Sequence, residues 1–101
     1  MVQALEIMRL GERYDRAIQH LKTACNLLPQ VPRYHYILGN AYYTLEEFAT
    51  AQSKYSEAIN LKDDDPQCYI SRALCWRKLG KLEDALSDAN RACELDSQNG
   101  L

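Results

Sequence analysis

The sequence predicts an all-α fold, a solenoid built from three antiparallel helix pairs, and two observations carry that expectation. The chain matches itself when slid along by 34 residues: Ala17, Ala51 and Ala85 share a column, as do Ala24, Ala58 and Ala92. Leu27, Leu61 and Leu95 form a third column, and Tyr14, Phe48 and Leu82 a fourth. A fixed period of this length is the signature of stacked supersecondary units, each of which buries its apolar face only against its neighbours. The second observation is amphipathicity at helical spacing. Phe48, Ala51, Tyr55, Ala58 and Leu61 follow one another at steps of three and four, which places them on one side of a helix.

Taken in order, the elements are six helices at roughly 1–10, 13–28, 32–45, 47–61, 66–79 and 82–95, paired as they follow one another. Pro29 and Pro32 in Leu-Pro-Gln-Val-Pro mark a helix stop and a helix start. Pro66 follows Asp63-Asp64-Asp65, where an aspartate can cap the next helix and proline can occupy its first turn. Weaker breaks fall inside each pair, at Gly11, at Glu46–Glu47 and at Gly80. Gly39 and Ala73 sit where two helices can approach closely, and the bulky Tyr42 and Trp76 follow three residues later. One detail departs from the period. Residues 4–11 match residues 73–80 at an offset of 69, whereas the second helices keep to 34 and 68, so the first pair carries one extra residue. The expectation is a wider turn around Glu12-Arg13.

With 101 residues the chain has room for one domain of three repeats, at about 1–31, 32–65 and 66–99. Twelve basic and fourteen acidic residues leave a net charge of −2, which offers no general attraction for phosphate backbones or anionic lipids. Residues 32–65 are the acidic part, with three basic and six acidic groups. No apolar run approaches the ~20 residues of a membrane span, and the first ten residues lack the layout of a secretory signal. They read as a helix already in progress, which suggests a piece of a longer protein. Cys25 and Cys93 occupy the same repeat position as Ile59, a column of small hydrophobic groups, and Cys68 and Cys75 lie seven apart on one helix side. All four cysteines are expected as reduced thiols in an intracellular, cytoplasmic protein.

The columns resemble the tetratricopeptide repeat (TPR), with its pattern W-x₂-L-G-x₂-Y, A-x₃-F and P. The middle copy supplies His35, Leu38-Gly39, Tyr42, Ala51, Tyr55 and Ala58. The third supplies Tyr69, Ala73, Trp76, Gly80, Ala85 and Ala92, and departs from the pattern at Arg72 and Ala89. The first supplies Ala4, Ile7, Tyr14, Ala17, Leu21, Ala24 and Pro29. The resemblance implies a right-handed superhelix and a non-enzymatic scaffold whose concave face binds a protein or peptide. Mapped onto this chain, the groove positions are Val2, Leu5 and Met8, then Arg33, Tyr36, Ile37, Asn40 and Tyr43, then Gln67, Ile70, Ser71, Leu74 and Arg77. This lining is apolar and aromatic with few charges. Asn40 could hydrogen-bond the backbone of an extended ligand through both its donor and its acceptor, with Tyr36 and Tyr43 gripping apolar side chains on either side. Members of the family that clamp the carboxyl-terminal tails of Hsp70 and Hsp90 use lysine, asparagine and arginine, at positions held here by Met1, Leu5, Ile37, Gln67 and Ser71. None matches, and capture of a carboxylate needs such cations. An apolar or amphipathic segment is the expected ligand.

Other chemistries fit less well. His20 and His35 have no nucleophile context, the cysteines lack paired-ligand spacing for zinc, and the aspartate run lacks the glycine and distal glutamate of a calcium loop. No catalytic residue, cofactor or metal is expected, and no nucleic acid or membrane partner. Single-stranded RNA, stacked on Tyr36 and Tyr43, is a remote alternative that the scarcity of basic groups disfavours. A structural role is the nearer one, with the lining covered by neighbouring repeats, or the uncovered last helix at Leu86, Ala89 and Cys93 promoting self-association.

Overall fold

A computed structural model describes the backbone over residues 2–99 and the side chains over residues 12–97. Five helices follow one another: α1 (Val2–Leu27), α2 (Pro32–Thr44), α3 (Phe48–Leu61), α4 (Pro66–Lys78) and α5 (Leu82–Asn99). Their starts have local causes. Pro32 and Pro66 stand in the first turns of α2 and α4, where a missing N–H costs nothing. Asp65 caps α4, its carboxylate accepting the Gln67 N–H at 3.0 Å. Glu83 and Asp84 place negative charge at the amino end of α5.

The turns within the second and third pairs are the same turn repeated. Glu46 and Gly80, 34 apart, both take left-handed backbone, with φ of 63° and 79°. The residue after each closes a wide turn back onto the helix, Glu47 N–H to the Tyr42 carbonyl and Lys81 N–H to the Trp76 carbonyl. Glycine adopts this conformation freely and glutamate does not. Glu46→Gly is therefore expected to raise stability by about 0.5–1 kcal/mol, read as a higher urea midpoint.

The first pair differs from expectation. No turn forms near Glu12-Arg13; α1 runs unbroken from Val2 to Leu27. Between Gly80 and the third pair's second helix stands one residue, Lys81, whereas two residues, Glu12 and Arg13, separate Gly11 from Tyr14. Both are good helix formers, so the extra residue continues the helix, and an internal glycine costs only about 1 kcal/mol. The architecture is thus one long helix followed by two helix pairs. Ala17, left without a folded-back partner, is exposed, whereas Ala51 in the same column is fully buried.

Two apolar clusters run along the stack. Ile18, Leu38, Ala41, Tyr42, Ala51, Tyr55 and Cys75 join α1 to α4 through the middle pair. Ala58, Ile59, Cys68, Tyr69, Ala92 and Leu95 join α3, α4 and α5, and Tyr36 packs against both clusters. At the crossing of α2 and α3 a Cβ on Gly39 would stand 2.7 Å from the Tyr55 ring, so only glycine fits. One period on, Ala73 and Ala89 replace that pair, and with no ring at 89 the small-residue requirement at 73 relaxes.

The departure at Arg72 is also explained. Arg72 stands where Leu38 stands, and it reaches Asp88 on α5 through Nε to Oδ2 at 2.7 Å and Nη2 to Oδ1 at 2.8 Å. Its Nη1 donates to Ser56 Oγ on α3 at 3.1 Å. Asp88 is only 5% exposed. A two-pronged ion pair, bonded as well to the preceding repeat, stands where the middle pair has the buried Leu38. The hydrogen bonds to Asp88 hold the Arg72 guanidinium pKa above its ordinary value.

The stacking joints repeat as well. His35 Nε2 donates to the Pro29 carbonyl at 3.0 Å, and the Tyr69 hydroxyl donates to the Asp63 carbonyl at 2.9 Å. Donor and acceptor are each 34 apart, so one side-chain column ties down each inter-pair connection. His35 Nδ1 also lies 3.1 Å from Glu57 Oε2. A carboxylate only accepts, so this is a hydrogen bond when the ring carries both protons.

Candidate partner-binding groove

The first turns of α2 and α4 come side by side where the second and third pairs meet, and a cleft of about 490 Å³ opens between them. Val31, Pro32, Tyr36 and Ile37 form its apolar wall. Arg33, Lys62, Asp65 and Gln67 supply the polar groups, with Cys68 also lining it. Two helix starts meet at it: α2 begins at Pro32 after extended backbone at Val31 (φ −99°, ψ 103°), and α4 begins at Pro66 after extended backbone at Asp65 (φ −97°, ψ 109°). Arg33, Lys62 and Gln67 are exposed, and Asp65, half-buried, has one oxygen held by the Gln67 N–H.

Of the groove positions expected from sequence, Arg33, Tyr36, Ile37 and Gln67 come together in this cleft. Asn40 and Tyr43 lie further along α2 and are occupied by the fold. The Tyr55 hydroxyl donates to Asn40 Oδ1 at 2.5 Å, so the amide oxygen is already engaged and the Asn40 N–H₂ is what remains for a ligand. Burial holds the Tyr55 phenol well above its usual pKa, keeping it a donor. Tyr43 stands edge-on to Phe48 with ring centroids 5.2 Å apart, which turns it toward the α2–α3 turn. Tyr36 is shared: its ring tilts against Tyr55 at 5.7 Å and its hydroxyl accepts from Ser71 Oγ at 3.5 Å. On α4, Ile70, Leu74 and Arg77 are exposed and Ser71 is half-buried. These four are not among the residues lining the cleft. Leu5 and Met8, with Val2, lie outside the residues whose side chains are described.

Residues that the sequence reading did not place in the groove are Val31, Pro32, Lys62, Asp65 and Cys68. The signal was present in the two Pro-initiated helix starts, which mark the cleft's walls, but a pattern confined to the first helices passes over the connections. Burial raises the Cys68 thiol to about 11, with the Asp65 carboxylate adding to the shift, so it stays a thiol rather than a nucleophilic thiolate. Among the described residues no group of three metal-ligating side chains gathers, and no helix is long and apolar enough to cross a membrane.

Residues 6–46 match the family described as TPR repeat, and residues 38–100 match that described as Tetratricopeptide repeat. Among curated relatives, Hsp70-Hsp90 organizing protein 3 of Arabidopsis thaliana is 40% identical over 58 residues, 57% of this chain and 10% of that protein. Outer dynein arm-docking complex subunit 4 of Homo sapiens is 36% identical over 58 residues, 57% of this chain and 9% of that protein. The chain thus spans about a tenth of the length of these relatives. Among solved structures, one of MamA superposes with a TM-score of 0.84 at 24% identity, covering 86% of this chain and 51% of that one. A second, of MamA MSR-1, covers 97% of this chain and 57% of that one with a TM-score of 0.82 at 23% identity. Those two likenesses establish the fold, an all-α solenoid. Since the second match alone spans more than half of the sequence, the chain belongs to the tetratricopeptide repeat family.

Proposed function

We propose that this chain is a non-enzymatic protein–protein interaction scaffold that takes an apolar or amphipathic peptide segment in the cleft between α2 and α4. One observation carries the reading: an open hollow walled by Tyr36 and Ile37 on one side and rimmed by Arg33 and Lys62. A single apolar anchor buried there would supply about 1.5–3 kcal/mol. Two exposed cations against one aspartate already bonded to backbone favour an acidic group flanking that anchor. The exposed Ile70 and Leu74 extend the apolar path along α4, with Arg77 beyond them, and the Asn40 N–H₂ offers a backbone contact.

Some similar relatives are named as Hsp70-Hsp90 organizing proteins. A two-carboxylate clamp is not our reading, because Ile37, Gln67 and Ser71 stand where its polar and cationic groups are needed. The free thiols at Cys25, Cys68, Cys75 and Cys93 support a reducing, intracellular setting. Single-stranded RNA is disfavoured, since Tyr36 already packs on Tyr55 and is not free to stack.

Selection from a random peptide display library tests the proposal. Enriched peptides are expected to carry an apolar anchor beside acidic residues, and Ile37→Asp should weaken their binding at least tenfold. Arg33→Glu, at an exposed position, should weaken binding by several-fold and reduce its dependence on salt. Circular dichroism checks that each variant remains helical. Equal affinity for wild type and both variants would refute the cleft as the site.

A further inference from the structure

The two joints between stacked units use the same pair of columns with different side chains. His35 and Tyr69 are 34 apart, and so are Glu57 and Arg91. In the later joint the Tyr69 hydroxyl donates to the Asp63 carbonyl. The same hydroxyl, with Glu94, holds the Arg91 guanidinium pKa above its ordinary value. As side-chain types, tyrosine and arginine keep their protons through the neutral and mildly acidic range. In the earlier joint an imidazole and a carboxylate take those places. His35 Nε2 lies 3.0 Å from the Pro29 carbonyl and Nδ1 lies 3.1 Å from Glu57 Oε2. Carbonyl and carboxylate oxygens only accept, so the ring satisfies both of them only as an imidazolium.

We propose that His35 is a proton-operated clasp at this joint: with two ring protons it holds the α1–α2 connection and α3 together, and with one it releases α3. The proton comes from solvent and settles on Nδ1, the edge that faces the half-exposed Glu57. Nε2 keeps its hydrogen in both forms, because the Pro29 carbonyl has none to lend. In the neutral ring the Nδ1 lone pair confronts a carboxylate. Glu57 then has Lys54 to turn to, whose Nζ lies 3.7 Å from the same oxygen. Loss of the proton thus moves Glu57 from a contact between elements to one within α3.

The charged groups that α3 brings to the clasp are Glu57 and Lys54. From α1 comes Cys25, close enough to feel both charges, and burial raises that thiol above its ordinary value, so it stays neutral. Among the described residues α4 and α5 form no hydrogen bond or ion pair with the ring. His35 is only 9% exposed, so water is a poor substitute for either partner. Folding therefore gives the second ring proton an acceptor that the unfolded chain lacks, and protonation and folding favour each other. The contribution is present in mild acid and fades as pH rises through the range in which imidazole titrates.

Urea unfolding at about pH 5.5 and about pH 8 tests the clasp. Measured against Glu57→Gln, the folded-to-unfolded ratio of the wild type should be about three- to tenfold larger in acid than in base. Glu57 is half-exposed, so that variant keeps its helical signal while losing the carboxylate. His35→Tyr, which places the later joint's residue in the earlier one, should flatten the pH response in the same way. His20, the other histidine of the chain, is exposed on α1, and His20→Gln should leave the response intact. Nitrogen NMR adds a geometric check: the neutral His35 ring should carry its hydrogen on Nε2, and the acid form should carry one on each nitrogen. Equal pH responses in wild type and Glu57→Gln would overturn the proposal. So would loss of the response in His20→Gln, or a neutral His35 with its hydrogen on Nδ1. None of these outcomes depends on a ligand in the cleft.

Discussion

Replacing Arg72 by alanine should destabilise the chain by about 3–5 kcal/mol, a large part of the stability of a fold this small. The loss comes chiefly from what is left behind. Asp88 is 5% exposed, and its two oxygens accept from Arg72 and from no other side chain among the described residues. Without the guanidinium the carboxylate stays buried and unpaired, and Ser56 loses a donor as well. Urea unfolding followed by circular dichroism reads the effect as a lowered midpoint. The informative control is Arg72→Leu with Asp88→Leu, which restores the apolar type of residue that Leu38 supplies in the middle pair. The double variant should recover most of the loss, because exchanging a buried ion pair for well-packed apolar groups is often neutral or stabilising. Destabilisation of the double variant equal to the sum of the two single changes would contradict this account.

The second large effect is at the α2–α3 crossing. Tyr55 is 2% exposed, the largest fully buried side chain together with Leu38 and Cys75, so Tyr55→Ala should cost about 3–5 kcal/mol through lost contacts and a residual cavity. Gly39→Ala should cost about 1–3 kcal/mol for the opposite reason, since the added methyl would stand 2.7 Å from the Tyr55 ring. The two changes are expected to couple. With the ring gone, the methyl at 39 no longer clashes and fills part of the void, so the double variant should be no less stable than Tyr55→Ala alone. That combination is the one the third pair already carries, as Ala73 with Ala89. Additive losses in a double-mutant cycle would show that the two sites do not share this space.

The fold was legible because the same physical demand recurs at the same place in every unit. A helix crossing accepts only small side chains, so alanine and glycine repeat; a connection between pairs needs a stop and a start, so proline repeats. What escaped was set by single residues acting against the period. One extra residue beside Gly11 turned an expected hairpin into a continuous helix, since Glu12 and Arg13 have no reason to leave a helix that already includes them. Arg72 read as a defect in the pattern because its partner, Asp88, lies on another helix and no local rule connects them. The groove was legible in part. Helix periodicity finds the side chains on α2 and α4, and so Arg33, Tyr36, Ile37 and Gln67. It does not reveal that Tyr55 reaches Asn40, or that the hollow deepens at the connections bearing Val31 and Lys62.

The order of contacts has a consequence for local opening. Each helix packs on its neighbours in sequence, α1 on α2, α2 on α3, α3 on α4 and α4 on α5, with one further contact between α2 and α4. Among the described residues no helix is held by a distant part of the chain, so opening can begin at α1 or α5 without disturbing the middle. Amide exchange should therefore rank the helices by position. The slowest amides are expected in α3, at the middle of this series, and the fastest in α1 and at the far end of α5. The cleft opens beside the most protected part of this gradient, so a ligand docking there would meet walls that are already set and would lose little in ordering them.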